Sequence, residues 1–285
     1  MFNAHRILIR ACCRRLRRGY REMYGGRKHD YEGIIDWVGR MALETIANSD
    51  ALYHNVDHTI LVTLVGQEVL RGKHMREGGV SSKDWLHTVV SLLCHDIGYV
   101  KGICRHDRPE RRLFTAGTDT ALVELPPGST DAALAPYHID RGKRFIRERF
   151  GGHDLLDAEV IGRNIELTRF PVPAAEDHRD TRNFPGLVRA ADLIGQLSDP
   201  AYLKKMAALF WEFEETGVNR ILGYRTPDDL RHNYSRFYWQ TVHAYIKAAL
   251  GYLSLTQEGR QVLANLHSHV FVVEHEPLDR TSPAA

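Results

Sequence analysis

The stretch Ser81-Ser82-Lys83-Asp84-Trp85-Leu86-His87-Thr88-Val89-Val90-Ser91-Leu92-Leu93-Cys94-His95-Asp96-Ile97-Gly98 decides how the chain is read. Ser81 and Asp84 have the spacing of a capping box: the serine accepts a hydrogen bond from the first turn, and the acid three residues on reaches back. The helix they open is apolar nearly all round, through Trp85, Leu86, Val89, Val90, Leu92 and Leu93. A helix of that kind lies inside a core rather than on its surface. It ends on His95-Asp96, polar residues delivered to the interior, where an isolated charge is costly without a partner or a metal. Gly98 follows and lets the backbone turn sharply.

Helical periodicity continues on both sides of this segment. Ile34, Ile35, Val38, Met41, Ala42, Thr45 and Ile46 form one stripe, and Val56, Ile60, Thr63, Leu64, Gln67 and Leu70 a second, ended by Gly78-Gly79. Residues 98–137 break the pattern with glycines and prolines; a connection that long is uncommon in a compact domain and is often functional. Helical signal returns at Asp140–Phe150, Leu155–Thr168 and Leu187–Leu197, then at about 228–250 and 257–273, where aromatic residues concentrate. Asp199-Pro200 and Thr226-Pro227 each read as an N-cap followed by proline at the first helical position. No run of residues reads as a strand. The expectation is an all-α bundle: a basic N-terminal extension over 1–30, one helical domain over 31–275 that includes additional C-terminal helices, and a tail over 276–285.

Composition sets the class. The 285 residues are 43% hydrophobic and 26% charged, ordinary for a globular protein with one sizeable core. No apolar run reaches the roughly 18 residues of a membrane-spanning helix, and the first residues lack the apolar core and cleavage site of a secretory signal. Cys12, Cys13, Cys94 and Cys104 show no metal-ligand spacing, which suits a reducing compartment; the expectation is a cytoplasmic protein. The net charge of +2 is uneven: residues 1–28 hold nine Lys/Arg against Glu22, so that segment carries +8 and the rest −6. A basic head suits an anionic surface, through an amphipathic helix with Ile7, Leu8, Ile9 and Leu16 on one face. The plainer reading is a solvated tail, or a helix packed on the body.

The residues that carry chemistry converge. His54 and His58 are four apart, near one another on the first turns of the second stripe's helix. His58 is in register with its apolar face. Asp192 is a carboxylate within the apolar run Leu187-Val188-Arg189-Ala190-Ala191-Asp192-Leu193-Ile194. Each has an ordinary alternative: a hydrogen-bonded core histidine for His58, or an ion pair with Arg189 or Arg163 for Asp192. Taken together, two histidines and two aspartates aimed at one core from three helices are hard to satisfy without a cation. Nitrogen and oxygen donors of this kind suit Zn, Mn, Fe, Mg or Co.

The ordered set His58, His95-Asp96 and Asp192 resembles the H…HD…D pattern of the HD superfamily of metal-dependent phosphohydrolases. Cys94-His95-Asp96-Ile97-Gly98 is similar to its namesake motif. Tyr53-His54-Asn55-Val56-Asp57-His58 resembles a stretch of the cyclic-nucleotide phosphodiesterases. The pattern spans about residues 31–198. The resemblance implies an HD-domain-like bundle with His58, His95, Asp96 and Asp192 on a first divalent ion (Mn, Mg, Zn, Ni or Fe). Asp96 would bridge to a second ion, and His54 would be the general acid. It implies cleavage of a phosphate ester or phosphodiester, a nucleotide or cyclic nucleotide among the candidates, with a metal-activated water attacking phosphorus.

There are departures. Tyr99 stands where the phosphodiesterases have a further histidine, and Glu166-Leu167-Thr168-Arg169 where two-metal members supply a histidine pair. The acid pair of guanosine tetraphosphate hydrolases is missing after the motif, which argues against that substrate. His138 is a candidate contact for a second metal or for phosphate, with a helix-start histidine of no ligand role as the other reading. Lys101, Arg105 and His106 follow the motif, and Arg169 approaches from elsewhere; guanidinium forks match phosphate oxygens, whereas a solvated basic loop is the plain alternative. Asp119, Glu124 and Asp131 in that loop would form a lid. Two other functions compete: a di-iron oxygenase, which needs more histidines than His138, and a regulatory module that keeps an idle metal. The aromatic C-terminal helices suit a substrate pocket or a face between copies.

Overall fold

A computed structural model describes residues 3–26, 29–118 and 120–276. Asp119 and the tail beyond Glu276 lie outside them. The fold is all-α. Its helices are α1 (Ala4–Tyr24), α2 (His29–Ile46), α3 (Val56–Glu77), α4 (Ser82–Cys94), α5 (His138–Phe150), α6 (Ala158–Glu166) and α7 (Phe184–Leu197). A C-terminal group follows: α8 (Tyr202–Thr216), α9 (Val218–Leu222), α10 (Pro227–His232), α11 (Tyr234–Phe237), α12 (His243–Leu253) and α13 (Gln257–His275). One small antiparallel hairpin, Leu113–Thr115 paired with Leu122–Glu124, sits in the long connection read as strandless. Its strands are three residues each, too short for alternation to show in the sequence.

The capping box at Ser81/Asp84 forms as expected, and all of α4 from Trp85 to Cys94 is buried. Thr226 caps α10 in the same way. Asp199 does not cap α8. Its side chain accepts from Ala201 N–H at 2.8 Å, and the helix begins two residues further on. The long helix expected over 228–250 is three pieces, with a π turn over Tyr238–Val242 joining α11 to α12.

Two large apolar clusters make most of the core, with a small third one of Phe114, Leu125 and Leu134 beside the hairpin. One gathers α1, α2, α4, α5 and α6; the other gathers α7, α8 and the C-terminal helices, and α3 feeds both through Leu70 on one side and Val62, Val65 and Val69 on the other. On α1, Ile9, Cys12, Cys13, Leu16 and Tyr20 are buried in the first cluster, whereas Ile7 and Leu8, expected on the same face, are exposed. Of its arginines, Arg18 pairs with Glu22 and Arg21 with Glu32.

Glycines set how closely the site-bearing helices approach. A Cβ on Gly195 of α7 would sit 2.6 Å from Val62 Cα of α3, and one on Gly66 of α3 would sit 2.1 Å from Leu92 Cδ1 of α4. Gly98 has a related role rather than the sharp turn expected of it. A Cβ there would sit 1.8 Å from the His138 carbonyl, so its missing side chain admits the start of α5 against the end of α4. Gly195→Ala is therefore expected to destabilise by about 1–3 kcal/mol, the usual cost of overpacking. Gly33→Ala on the exposed side of α2, where a Cβ meets nothing within 4 Å, should stabilise by about 0.5–1 kcal/mol. Thermal denaturation of the two variants reads both signs.

Candidate metal centre

Four side chains meet at the seam between the clusters. Asn55 caps α3, its side chain accepting from the N–H groups of Asp57 and His58, and this fixes His58 on the first turn. His95 and Asp96 leave the end of α4, and Asp192 projects from the middle of α7. His58 Nε2 lies 3.1 Å from Asp96 Oδ2 and 3.5 Å from Asp192 Oδ1. His95 Nε2 lies 3.0 Å and 3.4 Å from the same two oxygens, and the two Nε2 atoms are 3.3 Å apart. Donors about 2.0–2.1 Å from a common ion lie about 2.9–3.4 Å from one another, depending on coordination number. The observed separations have that size.

Hydrogen bonding points the same way. His95 Nδ1 lies 2.8 Å from the Leu92 carbonyl, which accepts its N–H and leaves the Nε2 lone pair facing inward. Asp96 Oδ2 is buried and has no hydrogen-bond partner in spite of its two close imidazole neighbours. Such an orphaned buried carboxylate oxygen is rare unless something else occupies its lone pairs. The residues present thus fit a divalent cation: His58, His95 and Asp192 form one group able to hold it, and His54, His58 and Asp96 form a second, overlapping one.

The electrostatics follow from charge packing. Burial opposes the His95 imidazolium, but Asp96 and Asp192 outweigh it and push its pKa well above the ordinary histidine value. Burial likewise opposes the Asp192 carboxylate, yet His95 and His58 pull it down to about 2.

Beside this cluster stands His54, which lies just before α3 rather than on it, because Asn55 starts the helix. Its ring centroid is still 5.4 Å from that of His58. His54 Nδ1 lies 2.5 Å from Glu212 Oε2. Glu212 Oε1 accepts from the backbone N–H of Tyr53 at 2.6 Å and of His54 at 3.2 Å. Burial lowers the His54 pKa, Glu212 more than offsets it, and the result is about 9. Glu212 comes from α8, among the helices that carry no recognisable motif. Its signal in the sequence is one acid in register with the buried positions Met206 and Leu209 of that helix.

Tyr99, where a further histidine was looked for, supplies no nitrogen. Its ring stacks between His54 at 4.6 Å and His138 at 4.4 Å. His138 does reach the site, its Nε2 4.0 Å from Asp96 Oδ1. Its Nδ1 is 2.5 Å from the Ala135 carbonyl, and burial lowers its pKa, so it presents a neutral Nε2 lone pair.

A cavity of about 530 Å³ opens from the metal ligands and is lined by His54, Asp96, His138, Arg169, Arg189 and Asp192 at this end. Of the expected phosphate binders, the structure brings Arg169 here, held by Glu166 and Asp140. It does not bring Lys101 or Arg105. Arg141 and Asp107, both fully buried, pin the loop after the motif against α5, with Arg141 also donating to the carbonyls of Gly98, Val100 and Thr115. Lys101 is thereby turned to the Ser129 carbonyl, and Arg105 N–H donates to Glu148. Arg189 does not pair with Asp192. It donates to the His178 carbonyl and lies over the Tyr245 ring.

Two outcomes test the centre. His95→Ala or Asp192→Ala should abolish stoichiometric binding of a divalent ion, whereas His54→Ala should keep it; metal analysis after dialysis distinguishes them. Because histidine nitrogens and carboxylates bind an ion only when unprotonated, affinity should fall as pH falls and binding should release protons. Calorimetry in two buffers of different ionisation enthalpy reads that release.

The model of one protein family, Npun_R2479-like, matches residues 2–276. No curated protein and no solved structure matches the chain. The matched range takes in every described helix from α1 to α13. The chain belongs to the Npun_R2479-like family.

Proposed function

We propose that this chain is an HD-type metal-dependent phosphohydrolase, cleaving a phosphate ester or phosphodiester. The observation that carries the reading is the placement of a carboxylate-oriented histidine, His54 on Glu212, beside a converging His58, His95, Asp96 and Asp192 set in a cavity large enough for a small molecule. A divalent ion held there would supply Lewis acidity toward a phosphoryl oxygen and lower the pKa of a water.

The side chains divide the remaining work. With Nδ1 committed to Glu212, His54 offers Nε2 to the substrate, and the same carboxylate favours the protonated ring, the state required of an acid that protonates a leaving oxygen. Tyr99 holds the ring in place by stacking. Arg169 and Arg189 put positive charge on the cavity wall near the ligands, where a substrate anion docks. Asp96 has one oxygen beside His58 and His95 and the other 4.0 Å from His138 Nε2, and Asp96 with His138 would help hold a second ion. The oxygenase reading gains nothing comparable, since His54 and His138 are the histidines on the cavity wall among the described residues.

The test is a panel of phosphate monoesters and diesters, assayed after chelation and re-addition of Mn, Mg, Zn, Ni or Fe, with Asp96→Asn as control. Hydrolysis restored by metal and missing from the control is the expected result. Silence under every metal would remove the reading. In an active preparation, His54→Ala should lower turnover by about 10²–10⁴-fold with metal retained. Glu212→Gln should cost on the order of 10–100-fold, as loss of an orienting partner does.

A further inference from the structure

The cavity changes character with distance from the metal ligands. Beyond them its walls are Met206, Leu209, Phe213, Leu230, Tyr234 and Phe237, from α8, α10 and α11. The amides that reach this region are engaged within the wall. Gln196 donates to the Tyr202 hydroxyl at 3.2 Å, and Asn233 to the Tyr224 hydroxyl at 2.5 Å. The arginines of the lining are Arg169, paired with Glu166 and Asp140, and Arg189, one turn before Asp192 on α7. Three apolar side chains of the lining are open to solvent: Phe170 at 46%, Leu222 at 51% and Ile221 at 83% exposure. The last two sit on α9, a five-residue helix set between Gly217 and Gly223, both left-handed. An apolar path therefore runs from the metal ligands to an apolar lip.

That arrangement discriminates between alcohols. A nucleoside would bury ribose hydroxyls and base-edge donors and acceptors against a mostly apolar lining in which few side-chain groups, the Tyr234 hydroxyl among them, lack a partner, and buried polar groups without partners are costly. A saturated chain asks only for apolar wall. We infer that the substrate is an amphiphilic phosphate ester of a long-chain alcohol, with its phosphate at the metal ligands and its chain along the cavity to the lip formed by Phe170, Ile221 and Leu222. The ester part of this inference rests on the phosphohydrolase reading; the chain-binding part stands on the cavity alone.

The experiment is titration calorimetry of Mn-loaded protein with straight-chain alkylphosphonates from ethyl to dodecyl, below their micelle concentrations, and with adenosine monophosphate. Hydrolysis of the matching alkyl phosphates is measured in parallel. Affinity is expected to rise about fourfold per methylene, the fold-change that about 0.8 kcal/mol per buried methylene represents, and to level off once the chain passes the lip. Ile221→Glu with Leu222→Glu, both on exposed positions, should weaken dodecylphosphonate and leave butylphosphonate unchanged. Affinity independent of chain length, or tighter binding of the nucleotide than of dodecylphosphonate, would overturn the inference. A clear chain-length series without hydrolysis of any alkyl phosphate would instead overturn the phosphohydrolase reading and leave the chain site in place.

Discussion

Asp96 and Asp192 enter the core on different elements, and the rest of the molecule is arranged around the need to neutralise them there. Two carboxylates cannot be buried side by side without opposite charge. His58 and His95 supply part of it, at 3.0–3.5 Å, and Asp96 Oδ2 still has no hydrogen-bond donor. The close approach of α3, α4 and α7 at Gly66 and Gly195 brings the four groups together. The donors therefore stand on backbone packing more than on long, adjustable side chains, and the cluster is preorganised by the same contacts that hold the two apolar clusters together.

A second tier of contacts orients the groups. Backbone carbonyls fix the ring nitrogens of His95 and His138, Glu212 fixes His54, and Tyr99 fills the space between His54 and His138 with an aromatic face. Each leaves one nitrogen of a histidine free to face the cavity. Arg141 serves the loop after the motif in the same way, donating to three carbonyls and to both carboxylate oxygens of Asp107. The aromatic groups of α8 and α11 then complete the wall.

What could be read from the residues alone was what short-range pattern encodes. The capping box at Ser81, the all-round apolar α4 and the inward register of His58 and Asp192 are local facts, and they gave the all-α class and the four donors. Glu212 was out of reach because its partner lies 158 residues away and no periodicity links them. The roles of Lys101 and Arg105 were misjudged for a related reason. Nearness to the motif in sequence suggested nearness to the site, but Arg141 and Asp107 turn that loop toward α5. Gly98 was seen as a turn because a glycine's value to a neighbouring helix shows only when the helix is in place.

The helix α1 has one more consequence. Its apolar side completes the first cluster, and Tyr24 O–H donates to the carbonyls of Val80 and Ser81 at the start of α4. The basic segment is thus the outer plank of the hull rather than a loose tether. A fragment trimmed to begin at residue 31 would present Ile35, Val38 and the underside of α4 to water as a raw, greasy seam. Such a fragment would be prone to clump with its own copies, and an assay on it would report the stickiness of that seam along with the chemistry of the centre.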